Sequence, residues 1–239
     1  VNQLNALALV QLAGYSAPTP GTSGGAAFDL RGALRPTRRW WLLVLPAGGG
    51  LLAGALVYRF APEARGLGED SIIEAYHEKR GEIRGRVPFV KMIASTLVIG
   101  TGGSAGQEGP MAQISAGFGS ILGRHLHLET FEQRILMLAG VAAGIGSIFQ
   151  APLGAAFLAV EVLYREDLET EAIMPSVIAS ITGYSIYSSV VGSRTVFSHP
   201  DLQFVSPLEL VPLVVFAVLC AVLGIAFVTV FFGTRDLFD

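Results

Sequence analysis

The sequence predicts an all-α membrane protein, polytopic and built from broken, tilted helices. Of its 239 residues 51% are hydrophobic and only 15% charged, with a mean hydropathy of +0.56, so lipid is its main solvent. The stretches Ile135–Val160, Ala172–Ser193 and Leu210–Thr234 carry no charge. Each exceeds the roughly 20 residues that a spanning helix needs. The remaining apolar segments are short and interrupted by Gly and Pro. That is the pattern of helices broken at membrane depth, where irregular backbone survives only if it is buried or lines a cavity.

Residues 1–15 read as a short apolar tail and Ala17–Ser23 as a loop rich in Pro, Gly, Ser and Thr. The first span is Trp40–Phe60, opened by a tryptophan pair suited to the headgroup boundary. Seven Lys/Arg lie from Arg59 to Lys91, against four (Arg31, Arg35, Arg38, Arg39) in the loop before, so the positive-inside rule puts Arg59–Lys91 in the cytoplasm and residues 16–39 outside. Six segments follow: Pro88–Ala105, Glu108–Leu126, Phe131–Phe149, Ala151–Tyr164, Glu171–Val191 and Pro207–Phe232. The breaks at 100–110 and Gln150–Pro152 are where chemistry is expected. The chain begins at Val1 with no signal-peptide pattern, and is expected to be cut at its start. Its home is a cell's inner or plasma membrane.

Other classes fall away on composition. Cys220 has no partner for a disulfide, and no histidine pair stands at i, i+4, so no metal site or cofactor is expected; His125 and His127 belong at an aqueous boundary. A net charge of −3 gives no reason to expect nucleic acid. The pairs Gly50/Gly54, Gly119/Gly123 and Gly140/Gly144 are expected to let helix backbones approach closely.

The run Gly100-Thr-Gly-Gly-Ser-Ala-Gly-Gln-Glu-Gly-Pro110 breaks the chain after an apolar helix and predicts a new helix from Glu108–Pro110. A helix N-terminus offers unpaired N–H groups and the positive end of the dipole, and glycine lets an ion reach the backbone. At mid-membrane this is an anion site built without a full positive charge. Its opening also fits the dinucleotide pattern G-x-G-x-x-A, but the surroundings are spanning helices rather than alternating strands and helices. Glu108 is the acid in this run, and a carboxylate inside the membrane is a functional candidate by default. Occupying the donors, it competes with an anion; protonated, it releases them. It reads as a gate and proton acceptor, or more simply as a capping carboxylate.

Gly106-Gln-Glu-Gly-Pro110, with Ala112-Gln113-Ile114 after it, resembles the G-R/K-E-G-P segment of the CLC chloride channel and transporter family. The resemblance extends to Phe60-Ala-Pro-Glu-Ala64, to the Gly66-Leu67-Gly68 turn and to Ala151-Pro-Leu153, and spans residues 40–239. It implies that Glu108 is the external gating glutamate and that amides of Gly106, Gln107, Glu108 and Gly109, with Gly66, Leu67 and Gly68, face the anion, most expectedly chloride. The family's first signature, G-S-G-I-P, reads Gly66-Leu67-Gly68-Glu69-Asp70 here, so the serine hydroxyl is missing; Asp70 and Ser71 look like helix caps. Proton-coupled members carry an inner glutamate at the position of Val162, which favours a channel over a proton-coupled antiporter; Glu161 beside it is expected to pair with Arg165.

The resemblance also implies the organisation: residues 1–39 the end of an earlier helix and an extracytoplasmic loop, 40–206 the first repeat of an inverted-repeat fold, and 207–239 the first helix of the second repeat. Such a piece holds about half of a pore. It further implies a homodimer in the bilayer with Ala151–Tyr164 and Glu171–Val191 in the interface, small anions and protons as partners, and no enzyme. A non-transporting membrane scaffold predicts that Glu108→Ala changes nothing. A cation transporter predicts acids along several helices, whereas only Glu108 and Glu161 stand well inside apolar context.

Overall fold

The computed structural model describes residues 40–66, 68–164, 168–192 and 210–238, the side chains to 234. Expectations for residues 1–39 lie outside this range. Eight α-helices occur among the described residues: α1 (Trp41–Phe60), α2 (Glu69–His77), α3 (Val87–Gly100), α4 (Glu108–His125), α5 (Thr130–Phe149), α6 (Pro152–Glu161), α7 (Thr170–Val191) and α8 (Leu210–Phe238), with a 3₁₀ turn at Pro62–Ala64 after α1. The chain divides into two compact units, Val1–Phe197 and Ser198–Asp239. In the second unit α8 is a single apolar helix, and Leu210–Thr234 alone is long enough to cross a membrane.

Within the first unit α5 is the hub and packs against α4, α6 and α7. It starts with a capping box, in which the Glu129 side chain takes an amide of the first turn and Glu132 reaches back to the Glu129 amide. It ends where Gln150 turns left-handed, φ 54°. The uncharged stretch Ile135–Val160 is therefore two helices, because Gln150-Ala-Pro152 stops α5 and proline opens α6. Met137, Leu138, Val141 and Ala142 of α5 meet Ala116 of α4 and Ala156, Ala159 and Val160 of α6 in the core.

Small residues set the α4–α5 spacing. A Cβ on Gly119 would lie 2.5 Å from the Leu136 carbonyl oxygen, and one on Gly140 2.5 Å from that of Ser115. These two glycine pairs behave as expected, but Gly50 and Gly54 do not: a Cβ on either meets nothing within 4 Å. The contact of α1 with α3 is instead made at Gly49, where a side chain would strike Thr101, one residue along on the helix surface. Gly50 and Gly54 line a cavity.

α1 and α5 are long and apolar enough to span, and α3 and α6 are apolar but short. α7 has the length, at 22 residues. Several of its hydroxyls return to their own helix, as Thr182 does to the Ile178 carbonyl and Ser185 to that of Ile181, which removes their polarity from an apolar setting. At the other end of α4, Ser120 and Gln133 hold the 81–83 backbone: Ser120 Oγ donates to the Gly81 carbonyl at 2.8 Å and accepts from the Ile83 amide at 2.8 Å. Gln133 donates to the same Gly81 carbonyl at 3.2 Å. This buried network fixes the connection between α2 and α3.

Candidate anion site

The sequence places two helix starts where the chain is richest in glycine, and the fold brings them together. Gly68 precedes α2 with φ 106° and ψ −17°, and Gly66 has φ 67°, left-handed angles that glycine takes at little cost. Gly68 also needs its missing side chain, because a Cβ there would lie 3.0 Å from the Gly109 carbonyl oxygen and 2.9 Å from Gln113 Cβ. The first turn of α2 thus rests on the first turn of α4.

Gln113 locks that contact. Fully buried on α4, it donates to the Glu63 carbonyl at 2.9 Å and to Ser71 Oγ at 2.6 Å. Ser71 Oγ in turn donates to the Gly68 carbonyl at 2.8 Å. This corrects the expectation that Asp70 and Ser71 cap α2. No side chain caps it, and Gly68 holds the cap position. The Ser71 hydroxyl instead donates back to the Gly68 carbonyl, which also accepts the Ile72 amide at 3.2 Å, and accepts from the buried Gln113 amide. Leu67 lies outside the described residues.

α4 begins at Glu108, as the glycine run predicts, after Gln107 as cap residue with φ −92°. The amides of Glu108 and Gly109 have no carbonyl four residues earlier, and Pro110 has no N–H to offer. Gly109 is buried, whereas Gly106, Gln107 and Glu108 are exposed in this chain. The Glu108 side chain folds back on its own helix start: a Cβ on Gly106 would collide with Oε2 of Glu108. The carboxylate therefore covers the backbone that leads into α4. The arrangement offers backbone amides at two helix starts, the positive ends of two helix dipoles, and one acid folded back against Gly106 just before the second.

One residue the sequence reading missed is Lys91. It is 5% exposed on α3 and donates to the carbonyls of Ala64 at 3.0 Å and Gly66 at 2.7 Å, so it pins the turn before α2. With Gly66, Ala105 and Pro110 it lines a cavity of about 330 Å³ between α1, α3, the turn at Ala64–Gly66 and the start of α4. A full positive charge thus stands beside a site expected to have only partial ones. The signal was present as the lone charged residue of the apolar run Val87–Gly100.

Val162 closes α6 and packs half-buried against the core, and Glu161 ends the same helix exposed. Arg165, the expected partner of Glu161, lies outside the described residues.

A family model for voltage gated chloride channels matches residues 49–239. The chain belongs to the voltage-gated chloride channel family. Curated relatives include a putative chloride channel protein ClcB-like of Ralstonia nicotianae, 31% identical over 71% of this chain and 41% of that protein. The H(+)/Cl(−) exchange transporter ClcA of Yersinia pestis is 33% identical over 77% of this chain and 39% of its own length. An uncharacterized protein of Methanocaldococcus jannaschii is 38% identical over 57% of this chain and 34% of that protein. Among solved structures, a slow cyanobacterial Cl−/H+ antiporter aligns with TM-score 0.64 and 27% identity over 79% of this chain and 45% of that one. A CLC-type fluoride/proton antiporter aligns with TM-score 0.60 and 25% identity over 74% and 44%. The chain thus spans between about a third and a half of the length of these relatives. As a voltage-gated chloride channel family member it is an integral, multi-pass membrane protein of the CLC anion-transport family, which is a family of channels and transporters rather than an enzyme class.

Proposed function

We propose that the protein carries chloride across the membrane in exchange for protons, through a pathway whose gate is Glu108. The observation that carries this reading is the meeting of the α2 and α4 starts at Gly68 and Gly109, with the Glu108 carboxylate folded over Gly106. Backbone amides at two helix starts suit a small monovalent anion, and Lys91 adds positive potential behind them. Ionised Glu108 takes the place of the anion at the α4 start. A proton on Glu108 weakens its hold on the amides, the side chain swings away, and an anion replaces it. Proton and anion thus use the same gate in turn, which is the elementary requirement for exchange.

Exchange is preferred because relatives of this chain are named as H(+)/Cl(−) exchange transporters and proton antiporters. A second reading, a chloride channel gated by Glu108, draws on Val162, an apolar residue where the resemblance implies an inner glutamate. The chain spans less than half of the length of these relatives, so the activity is proposed for the full-length protein. The exposed apolar faces of α6 and α7, such as Phe157 and Ile178, suit a second copy in a homodimer. The test is chloride efflux from liposomes containing the full-length protein, wild type against Glu108→Ala. Efflux that loses its pH dependence in the variant supports the reading, and absence of efflux from wild type refutes it.

A further inference from the structure

The glycine pair Gly50/Gly54, which packs against no helix, lines a cavity with a use of its own. α1 and α3 meet at Gly49, where a Cβ would strike the Thr101 side chain and lie 3.0 Å from the Leu97 carbonyl oxygen. Beyond that contact, Ala53, Gly54 and Val57 of α1 and Ala94, Val98 and Ile99 of α3 line the cavity of about 330 Å³. At Gly50 and Gly54 a Cβ would meet nothing within 4 Å, so the cavity is deepest where α1 has no side chain. It follows α1 from Gly50 to Val57, about 10 Å at 1.5 Å per residue.

The wall suits hydrocarbon better than water. Ser95 returns its hydroxyl to the Met92 carbonyl at 3.2 Å, and Lys91 gives two of its three N–H groups to the carbonyls of Ala64 and Gly66. A buried water needs two to four polar partners, and the rest of the wall along the two helices is apolar. Gly54 is exposed, so the cavity opens as a groove on α1, a helix long and apolar enough to span and mostly unburied within the chain. The medium around such a helix is acyl chain.

One end of the groove is charged. Arg65, exposed and part of the same wall, lies with its guanidinium 4.7 Å from the centre of the Tyr58 ring. Arg59 lies 5.6 Å from that of Phe60. Glu63, the acid of the turn between them, is paired with Arg84 and does not neutralise these cations. This is the end that the positive-inside rule assigns to the cytoplasm. Arginine beside aromatic rings is at home at the headgroup level there, and basic pockets between membrane helices on that side take anionic headgroups.

We propose that the groove between α1 and α3 is a phospholipid site, in which one acyl chain lies along Gly50 and Gly54 and Arg65 takes the phosphate of an anionic headgroup. Arg59 adds positive potential beside it. The bound chain covers the stem of Lys91 and keeps water from the two bonds that hold the turn before α2. The site does not depend on how anion movement is coupled to protons.

The test places the full-length protein in phosphatidylcholine liposomes containing a few per cent of phosphatidylglycerol with a photoactivatable diazirine on one acyl chain. After irradiation, the labelled peptides are located by mass spectrometry. Label is expected within residues 50–57 and 94–99, and the same diazirine carried on phosphatidylcholine is expected to label them at least threefold less. Gly54→Leu fills the groove with its own side chain and is expected to lower labelling there at least fivefold, with label elsewhere unchanged. Arg65→Gln, an exposed change that leaves the helices intact, is expected to lower labelling from phosphatidylglycerol at least threefold and that from phosphatidylcholine little. Absence of label from the groove in wild type overturns the inference and marks a surface covered by the rest of the protein. Equal groove labelling in wild type and Gly54→Leu overturns it as well. Equal labelling from the two lipids, unaffected by Arg65→Gln, overturns the assignment of the headgroup to Arg65.

Discussion

Gly106→Ala places a methyl group where the Glu108 carboxylate now lies. Gly106 does not have a positive φ, so alanine strains no backbone, and the only obstacle is the far end of a flexible side chain. Displacing that end from its rotamer costs about 0.5–1.5 kcal/mol. If the folded-back carboxylate is the closed gate, the same energy moves the balance towards open by roughly two- to twelvefold, at about 1.4 kcal/mol per factor of ten. Chloride efflux at neutral pH from liposomes with the full-length protein is expected to rise by that factor, with a shallower pH dependence and an unchanged melting temperature. The second half of the test is the same substitution in a Glu108→Ala background, where no carboxylate remains to displace and no further change is expected. Unchanged efflux in Gly106→Ala, or the same rise in both backgrounds, refutes the gating argument.

Lys91→Met leaves the Ala64 and Gly66 carbonyls without their buried donor, at about 1–3 kcal/mol each if unsatisfied, and is expected to lower both thermal stability and chloride flux; a variant with full flux contradicts its role at the site. Gly119→Ala and Gly140→Ala push a methyl group against backbone carbonyls between α4 and α5 and are each expected to cost about 1–3 kcal/mol in detergent unfolding, whereas Gly54→Ala is expected to cost little. Glu63 is partly buried, which raises its pKa, but the Arg84 hydrogen bond and charge outweigh this and hold it below the usual carboxylate range. Its contribution is therefore complete above about pH 4.3 and lost as the pH falls through the lowered value, so Glu63→Gln is expected to flatten the acid limb of a stability–pH profile and leave the neutral region less changed.

The helices were legible where one residue type forces the backbone. Pro152 and Gln150 mark the α5–α6 break, and Glu108 with Pro110 marks the start of α4, each within a residue or two of the structure. Uncharged length was less informative, because Ile135–Val160 has the composition of one span and holds two helices. Glycine spacing misled at Gly50/Gly54, since periodicity fixes which residues share a face but not whether another helix lies against it. In the site, the glycines and Glu108 were readable because local backbone physics demands them. Lys91, Gln113 and the Tyr76–Glu169 contact were not, because their meaning depends on partners 25 to 93 residues away. Ser71 shows the same limit at short range: its spacing suits a cap, but a buried glutamine from α4 claims its hydroxyl.

The central claim is that proton and anion share the Glu108 gate. Recording chloride efflux and proton uptake simultaneously, in liposomes holding full-length wild type or Glu108→Gln, tests it most directly. Wild-type chloride efflux that drives proton uptake, with uptake abolished and efflux retained in Glu108→Gln, is the predicted result; proton uptake that persists in Glu108→Gln at the wild-type ratio would contradict it.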